Sequence, residues 1–210
     1  MRNFMTTTID HNKLLTKIAK SKFKSHDIKQ KGQSRLFYFD NYWFTILIEF
    51  QPFSHDKGTF LNVAADFNFY PRDYFAYRLG GRETEFIPFE NEEQFSKAID
   101  ELCDIAIKKV EQIKSQLADY SSAEKILIND PKLEDGWNKL DIAFVSALNG
   151  NLETATNSLN KILADNCTYE WEYKRKEFVS KIIGWLGQSD INAQVDSQIK
   201  QARKLKKLDK

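Results

Sequence analysis

Cysteine is nearly missing from this chain. Cys103 and Cys167 are the only two in 210 residues, each isolated. That excludes a disulfide framework and a Cys-x-x-Cys metal site. The plain reading is two buried, reduced thiols inside apolar helical patterns. Long apolar runs are missing too. Nothing approaches the roughly 18 apolar residues of a membrane span, and residues 1–10 hold no apolar core of signal-peptide length. A reducing, cytoplasmic setting and no membrane partner are therefore expected. Charge of one sign is also lacking: 31 Lys and Arg against 30 Asp and Glu leave +1. No whole-molecule field draws the chain to nucleic acid. The three histidines, His11, His26 and His55, are not at metal-ligand spacing, and no phosphate-cradling glycine loop or Gly-x-Ser-x-Gly elbow occurs. No cofactor, no metal and no catalytic set is expected.

What is present is a globular balance, 41% hydrophobic and 29% charged, with most of the rings before residue 90. The most apolar stretch runs from Tyr42 to Gln51. Its even positions, Tyr42, Phe44, Ile46, Ile48 and Phe50, are large and apolar, while its odd positions pass from Trp43 through Thr45 and Leu47 to Glu49 and Gln51. Period two with aromatic and β-branched residues predicts a strand with one face in the core. Residues 36–39 read as the strand before it, joined by a tight turn at Asp40-Asn41. Residues 59–70 alternate again, with Leu61, Val63, Ala65, Phe67 and Phe69 inward and Asn62, Asp66 and Asn68 outward. Gly80-Gly81 suggests a further hairpin between 74–79 and 85–89.

Helical stripes flank this meander. Thr8 or Asp10 can cap a helix to about Phe23, whose lysines at 13, 17, 20, 22 and 24 read as a solvated face. Asn91 and Gln94 fit a loose capping box, and Phe95, Ile99, Leu102, Ala106, Val110, Ile113 and Leu117 step by three and four. After Tyr120 the strand signals stop. Residues 121–130 read as a connector or short helix, and Asp130-Pro131 as a helix start. Helices are expected over 132–148, 152–164, 169–186 and 191–205, paired around Gly150 and Gly187. The fold class is thus α+β: an antiparallel meander of three to five strands packed against an N-terminal helix and a long helix, then a bundle of helical hairpins. The division expected is a sheet domain over 1–120 and a helical module over 121–210.

Two resemblances follow from these residues. Ile142-Ala143, Ala147-Leu148, Gly150, Leu152, Ala155, Leu159 and Ile162-Leu163 resemble one tetratricopeptide unit, although Phe144 and Ser146 depart from its usual aromatic pattern. Over about residues 8–118, the helix ending at Phe23-Lys24, Trp43, Ile46, Phe50-Gln51, Gly58-Thr59-Phe60-Leu61-Asn62-Val63 and Arg78-Leu79-Gly80 resemble bacterial domain-of-unknown-function family 4304. Ile87-Pro88-Phe89 stands where that family often has an aromatic pair, and Lys22 where it has glycine. The resemblance implies an α+β fold and carries over no catalytic residue.

The candidate site is the odd face of the opening strand. Trp43, Glu49 and Gln51, with His55 in the following loop, Asp66 on the partner strand, and Arg72 and Arg78 beyond it, form a set that could hold a polar ligand or a protein. An ordinary solvated sheet face is the plainer reading. The basic stretch 200–210 reads as a fraying helix end whose cations suit the dipole. It has no aromatic residue for base stacking, which argues against nucleic acid. A protein partner is expected, in an immunity-like role for example. The alternative is a small-ligand binder or hydrolase on the polar face.

Overall fold

These patterns resolve into an α+β fold in a computed structural model that describes residues 10–130, 136–186, 188 and 190–208. Thr8, Pro131, Gly187 and the last two residues of the basic tail lie outside the described set, so the cap and turns proposed there have no structural account. Helix α1 (His11–Phe23) starts at Asp10, whose Oδ1 accepts the Asn12 and Lys13 amides at 3.0 and 3.3 Å. It buries Leu15, Ala19 and Phe23. The Phe23 ring packs edge-on to Phe37, 5.2 Å away, and stacks on Phe50, which seats the helix on the sheet. Lys22 leaves the solvated face expected of it: its Nζ bonds Asp100 at 2.7 Å and Asp104 at 3.0 Å.

The sheet orders its strands β1 (Lys29–Gln30), β2 (Leu36–Asn41), β3 (Phe44–Gln51), β4 (Gly58–Phe67) and β5 (Leu79–Arg82), and β6 (Ile87–Pro88) also pairs with β4. Phe44, Ile46, Ile48 and Phe50 are all fully buried, as the alternation requires. The turn before β3 sits two residues later than expected. Asp40 and Asn41 are the last two residues of β2, and the positive φ, +56°, falls on Tyr42, which is therefore not part of the inner face. Gly80 and Gly81 do not make a hairpin. They lie inside β5, opposite Ala64 and Val63, and a Cβ on Gly80 (φ +122°) would stand 2.4 Å from the Val63 carbonyl oxygen. Glycine here serves close approach of two backbones.

Helix α2 (Glu92–Gln116) is capped by Asn91, whose Oδ1 accepts the Gln94 amide at 2.9 Å. Its three-and-four stripe is buried from Phe95 to Ile113. No helix of the described residues is long and apolar enough to cross a membrane.

The backbone gathers into two compact units. One takes the chain up to Asn41, Thr45–Asp66 and Leu79–Gln112; the other takes Tyr42–Phe44, Phe67–Arg78 and Ile113 onward. The second unit holds α3 (Tyr120–Asn129), α4 (Gly136–Leu148), α5 (Leu152–Ala164), α6 (Glu170–Ile183) and α7 (Ile191–Leu205). Gly150, at φ +83°, ends the α4 turn, and Asn151 caps α5 by accepting the Thr154 amide. Buried Glu124 on α3 accepts from the side-chain amides of both Asn149 and Asn151. Around this frame Phe69 stacks on Phe144 at 5.0 Å, and Trp43 lies against Phe67, Phe69 and Tyr120.

Up to Leu208 the C-terminal stretch is ordered into a helix and its cap rather than the fraying end its lysine content suggested. Lys207 (φ +55°) closes α7 in a Schellman turn, with Lys207 N–H bonded to Lys204 O and Leu208 N–H to Arg203 O. Arg203 and Lys206 are buried. Lys206 Nζ donates to Asn68 Oδ1 at 2.9 Å, and Arg203 donates to the Tyr42 carbonyl at 3.2 Å. Two of the tail's cations are thus spent on strand ends and carbonyls rather than offered to solvent.

Candidate functional site

The seven residues singled out above fall in both units: Glu49, Gln51, His55 and Asp66 in the first, Trp43, Arg72 and Arg78 in the second. Glu49 and Gln51 are half-buried, and the Asn62 side-chain amide donates to Glu49 Oε2 at 3.0 Å and Gln51 Oε1 at 2.9 Å. Arg82 also donates to Gln51 Oε1, at 2.9 Å. This cluster uses its polar groups on itself. Asp66, with Thr45, Leu47 and Asn68 on the same expected polar face, is fully buried, so that face is not an open sheet surface along most of its length. Period two marks two faces but does not say that one stays wet; a sheet covered on both sides keeps the same alternation. His55 is exposed in the loop before β4 and lines a cleft whose other walls include neither Glu49 nor Asp66.

In the second unit, Trp43 serves the ring cluster described above. Arg78 is tied to Asp141 at 3.2 Å, with side-chain exposures of 9% and 10%, which is a buried structural pair. Arg72 belongs to a ring array that reaches the surface. Its guanidinium carbon lies 5.3 Å from the Tyr74 ring centroid and 5.7 Å from that of Trp137. Arg175 then lies 5.4 Å from Trp137 and 5.2 Å from Trp171. Trp137 and Trp171 are near-parallel at 6.1 Å, and Trp171 continues to Tyr169 at 6.4 Å. Rings and guanidinium groups thus follow one another as Tyr74, Arg72, Trp137, Arg175, Trp171 and Tyr169. The cations are buried at 8% and 4% exposure, while Tyr74, Tyr169, Trp171 and Tyr173 are among the most exposed large side chains.

Local chemistry holds this array in place. Tyr70 meets Trp137 and Phe178 edge-on at 4.8 and 4.9 Å, and burial pushes its hydroxyl pKa up. Glu172 Oε2 accepts the Tyr169 and Thr168 amides at 2.8 and 2.6 Å, which holds its carboxyl below the usual range and pins the entry to α6. Lys176 Nζ donates to the Leu163 carbonyl at 2.6 Å and to that of Asp165. Stacked guanidinium groups of this kind are rigid donors, since the rings remove their rotamer freedom.

Trp137, Trp171, Tyr169 and Arg175 were not singled out from the sequence. The signal was the run Tyr169, Trp171, Tyr173 at spacing two. At about 100° per residue a helix cannot bury all three rings on one face, so some had to remain outside. Cys103 is buried, and desolvation pushes its thiol up to about 12, leaving it protonated and inert at neutral pH. Cys167 is half-buried in the loop before α6, not inside a helix as expected. No group of three or more His, Cys, Asp and Glu among the described residues is placed to hold a metal ion. No family model, no curated protein and no solved structure matches the chain.

Proposed function

We propose that this protein is a non-enzymatic module that binds another protein through the aromatic array at the start of α6. A toxin-neutralising, immunity-like role is one concrete form of that reading. The observation that carries it is the exposure of Tyr74 (55%), Tyr169 (61%), Trp171 (46%) and Tyr173 (56%) around two buried, ring-stacked arginines. Solvent-facing tryptophan and tyrosine beside arginine is the composition of interface hot spots. These rings have few torsions to freeze, and the arginines beneath are already ordered, so little conformational entropy opposes docking. The flanking Glu170, Glu172 and Lys174 give the rim both signs of charge, which suits a protein surface better than a phosphate backbone.

The test is affinity capture from native lysate with the wild-type chain and with Trp171→Ala and Ile105→Ala. Ile105 is an equally exposed apolar residue far along the sequence on α2. A stoichiometric protein recovered with wild type and Ile105→Ala, but weakened by roughly 30-fold with Trp171→Ala (about 2 kcal/mol), is the expected result. Recovery of no stoichiometric protein, with a small molecule co-purifying instead, would reject the proposal.

A further inference from the structure

Arg35 carries a charge with no carboxylate of the described residues in direct contact; Glu49 acts on it only from a distance. The arginine stands just before β2, half-buried. Its Nη1 donates to Asn12 Oδ1 and its Nη2 to the Gly58 carbonyl, both at 3.0 Å, and its Nε is buried with no partner. A guanidinium has five N–H groups, and both bonded acceptors here are neutral. No carboxylate of the described residues lies within ion-pair distance of it. Some other cations withdrawn from water are ion-paired, as Arg78 is with Asp141 and Lys22 with Asp100. A partly desolvated guanidinium with only the more distant Glu49 charge to offset it is costly to keep, and one standing at an open cleft has an evident use.

The cleft is about 640 Å³, and Arg35 shares its walls with His11, Ser54, His55 and Lys57. The loop 52–57 that brings Ser54, His55 and Lys57 there is held at its C-terminal end. The Lys57 carbonyl accepts the Phe89 amide at 2.8 Å, and Gly58, at φ +154°, runs so close to Ile87 and Phe86 that a Cβ would lie 2.2 Å from the Ile87 carbonyl. Rings fix two of the other walls: His11 packs against Phe89 at 5.6 Å and Phe95 at 6.1 Å, and His55 against Phe53 at 5.3 Å. Three acids are near. Asp10 is engaged in capping α1, Glu49 holds Asn62, and Asp56, exposed on the loop, itself lines the cleft beside Lys57.

We propose that this cleft is a binding site for a small tetrahedral oxyanion of the phosphate class, with Arg35 and Lys57 supplying charge and His11, Ser54 and His55 supplying further donors. Five donor side chains from three separate segments exceed what the two oxygens of a carboxylate use, and they suit a group with three or four. Burial, with Arg35 and Lys57 nearby, lowers the pKa of His11 in the free protein. A bound anion reverses that field, so phosphate binding and protonation of His11 reinforce each other.

The experiment follows the His11 ring resonances by NMR while inorganic phosphate is added at constant ionic strength, with chloride and acetate as parallel arms. Expected are a saturable shift with Kd on the order of 1 mM and a rise in the His11 titration midpoint with phosphate. Acetate should bind at least roughly tenfold more weakly, and Lys57→Gln should weaken phosphate by a similar factor. Lys13→Gln, at a fully solvated lysine, should bind as wild type does. Arg35→Gln is the more direct variant, but Arg35 also joins α1 to the start of β4, so Lys57→Gln keeps the result readable if the former does not fold. A shift that does not saturate, one equal with acetate, or one unchanged in Lys57→Gln would overturn the site. The result is independent of whether Trp171 contacts a protein.

Discussion

At the scale of single residues, this fold uses buried charge more than its sheet patterns suggest. Arg78 and Asp141 form an ion pair that is nearly closed to water. Desolvating two such groups costs several kcal/mol, and the attraction between them roughly offsets that cost. The pair should therefore add little net stability yet be expensive to break on one side. Arg78→Met is expected to destabilise by about 3–5 kcal/mol, because Asp141 loses its guanidinium, while Arg78→Met with Asp141→Leu should recover most of the loss. Urea denaturation checks this: the single variant lowers the midpoint with an unchanged slope, and the double variant returns toward wild type. Equal losses in both would show that the pair is net stabilising. Tyr42 is the matching backbone case. A tyrosine at φ +56° is strained by roughly 1–2 kcal/mol, and it is held there by Asn68 and Arg203 on its carbonyl, Arg203 over its ring and Asp196 on its hydroxyl.

At the scale of elements, β4 is the strand on which the meander depends. It pairs with β5 along 62–65 and with β6 at its start, and its two close approaches, at Gly80 and at Gly58, admit no side chain. Gly80→Ala combines a positive φ with a contact of 2.4 Å to backbone, which a rotamer change cannot relieve. The expected cost is about 2–4 kcal/mol, read as a lowered thermal midpoint. Gly81→Ala is its control, since nothing lies within 4 Å of a Cβ there. Similar losses at both positions would mean that strand propensity, not backbone contact, sets the requirement. The Schellman turn after α7 shows the same logic at a helix end: Lys207 takes the left-handed position usually given to glycine because Leu208 and Lys206 are buried on either side of it.

At the scale of the whole molecule, the two units are interleaved along the chain. The second unit draws Tyr42–Phe44 and Phe67–Arg78 from between stretches of the first. Those short stretches supply Phe69 to Phe144, Tyr70 to Trp137 and Phe178, and Arg78 to Asp141. A fragment of residues 121–210 lacks all of these partners and leaves a row of core rings uncovered. It should show helical circular dichroism without a cooperative melt and should bind hydrophobic dyes, in the manner of a molten globule. A sharp, cooperative transition in that fragment would show that the helical pairs complete their own core.

Much of this architecture could be read from the residues alone. The meander, α1, the long α2 and the order of the later helices follow from periods of two and 3.6, which local burial imposes on the chain and which composition reveals directly. Caps at Asp10 and Asn91 and the ending at Gly150 are local chemistry, legible for the same reason. What only the tertiary structure decided are the facts that depend on which distant segment arrives. Asp66 and Asn68 look like solvent-facing residues until the fold covers them, and Lys206 looks like a fraying tail until Asn68 accepts its proton donors. Arg72 gains Trp137 as a neighbour only when the stretch after β4 meets α4, and Arg175 gains Trp137 only when α4 and α6 have been brought together. Arg35 meets neutral acceptors where Arg78 meets a carboxylate. Pattern reports which side chains must leave water; it does not report which charges will find a partner there.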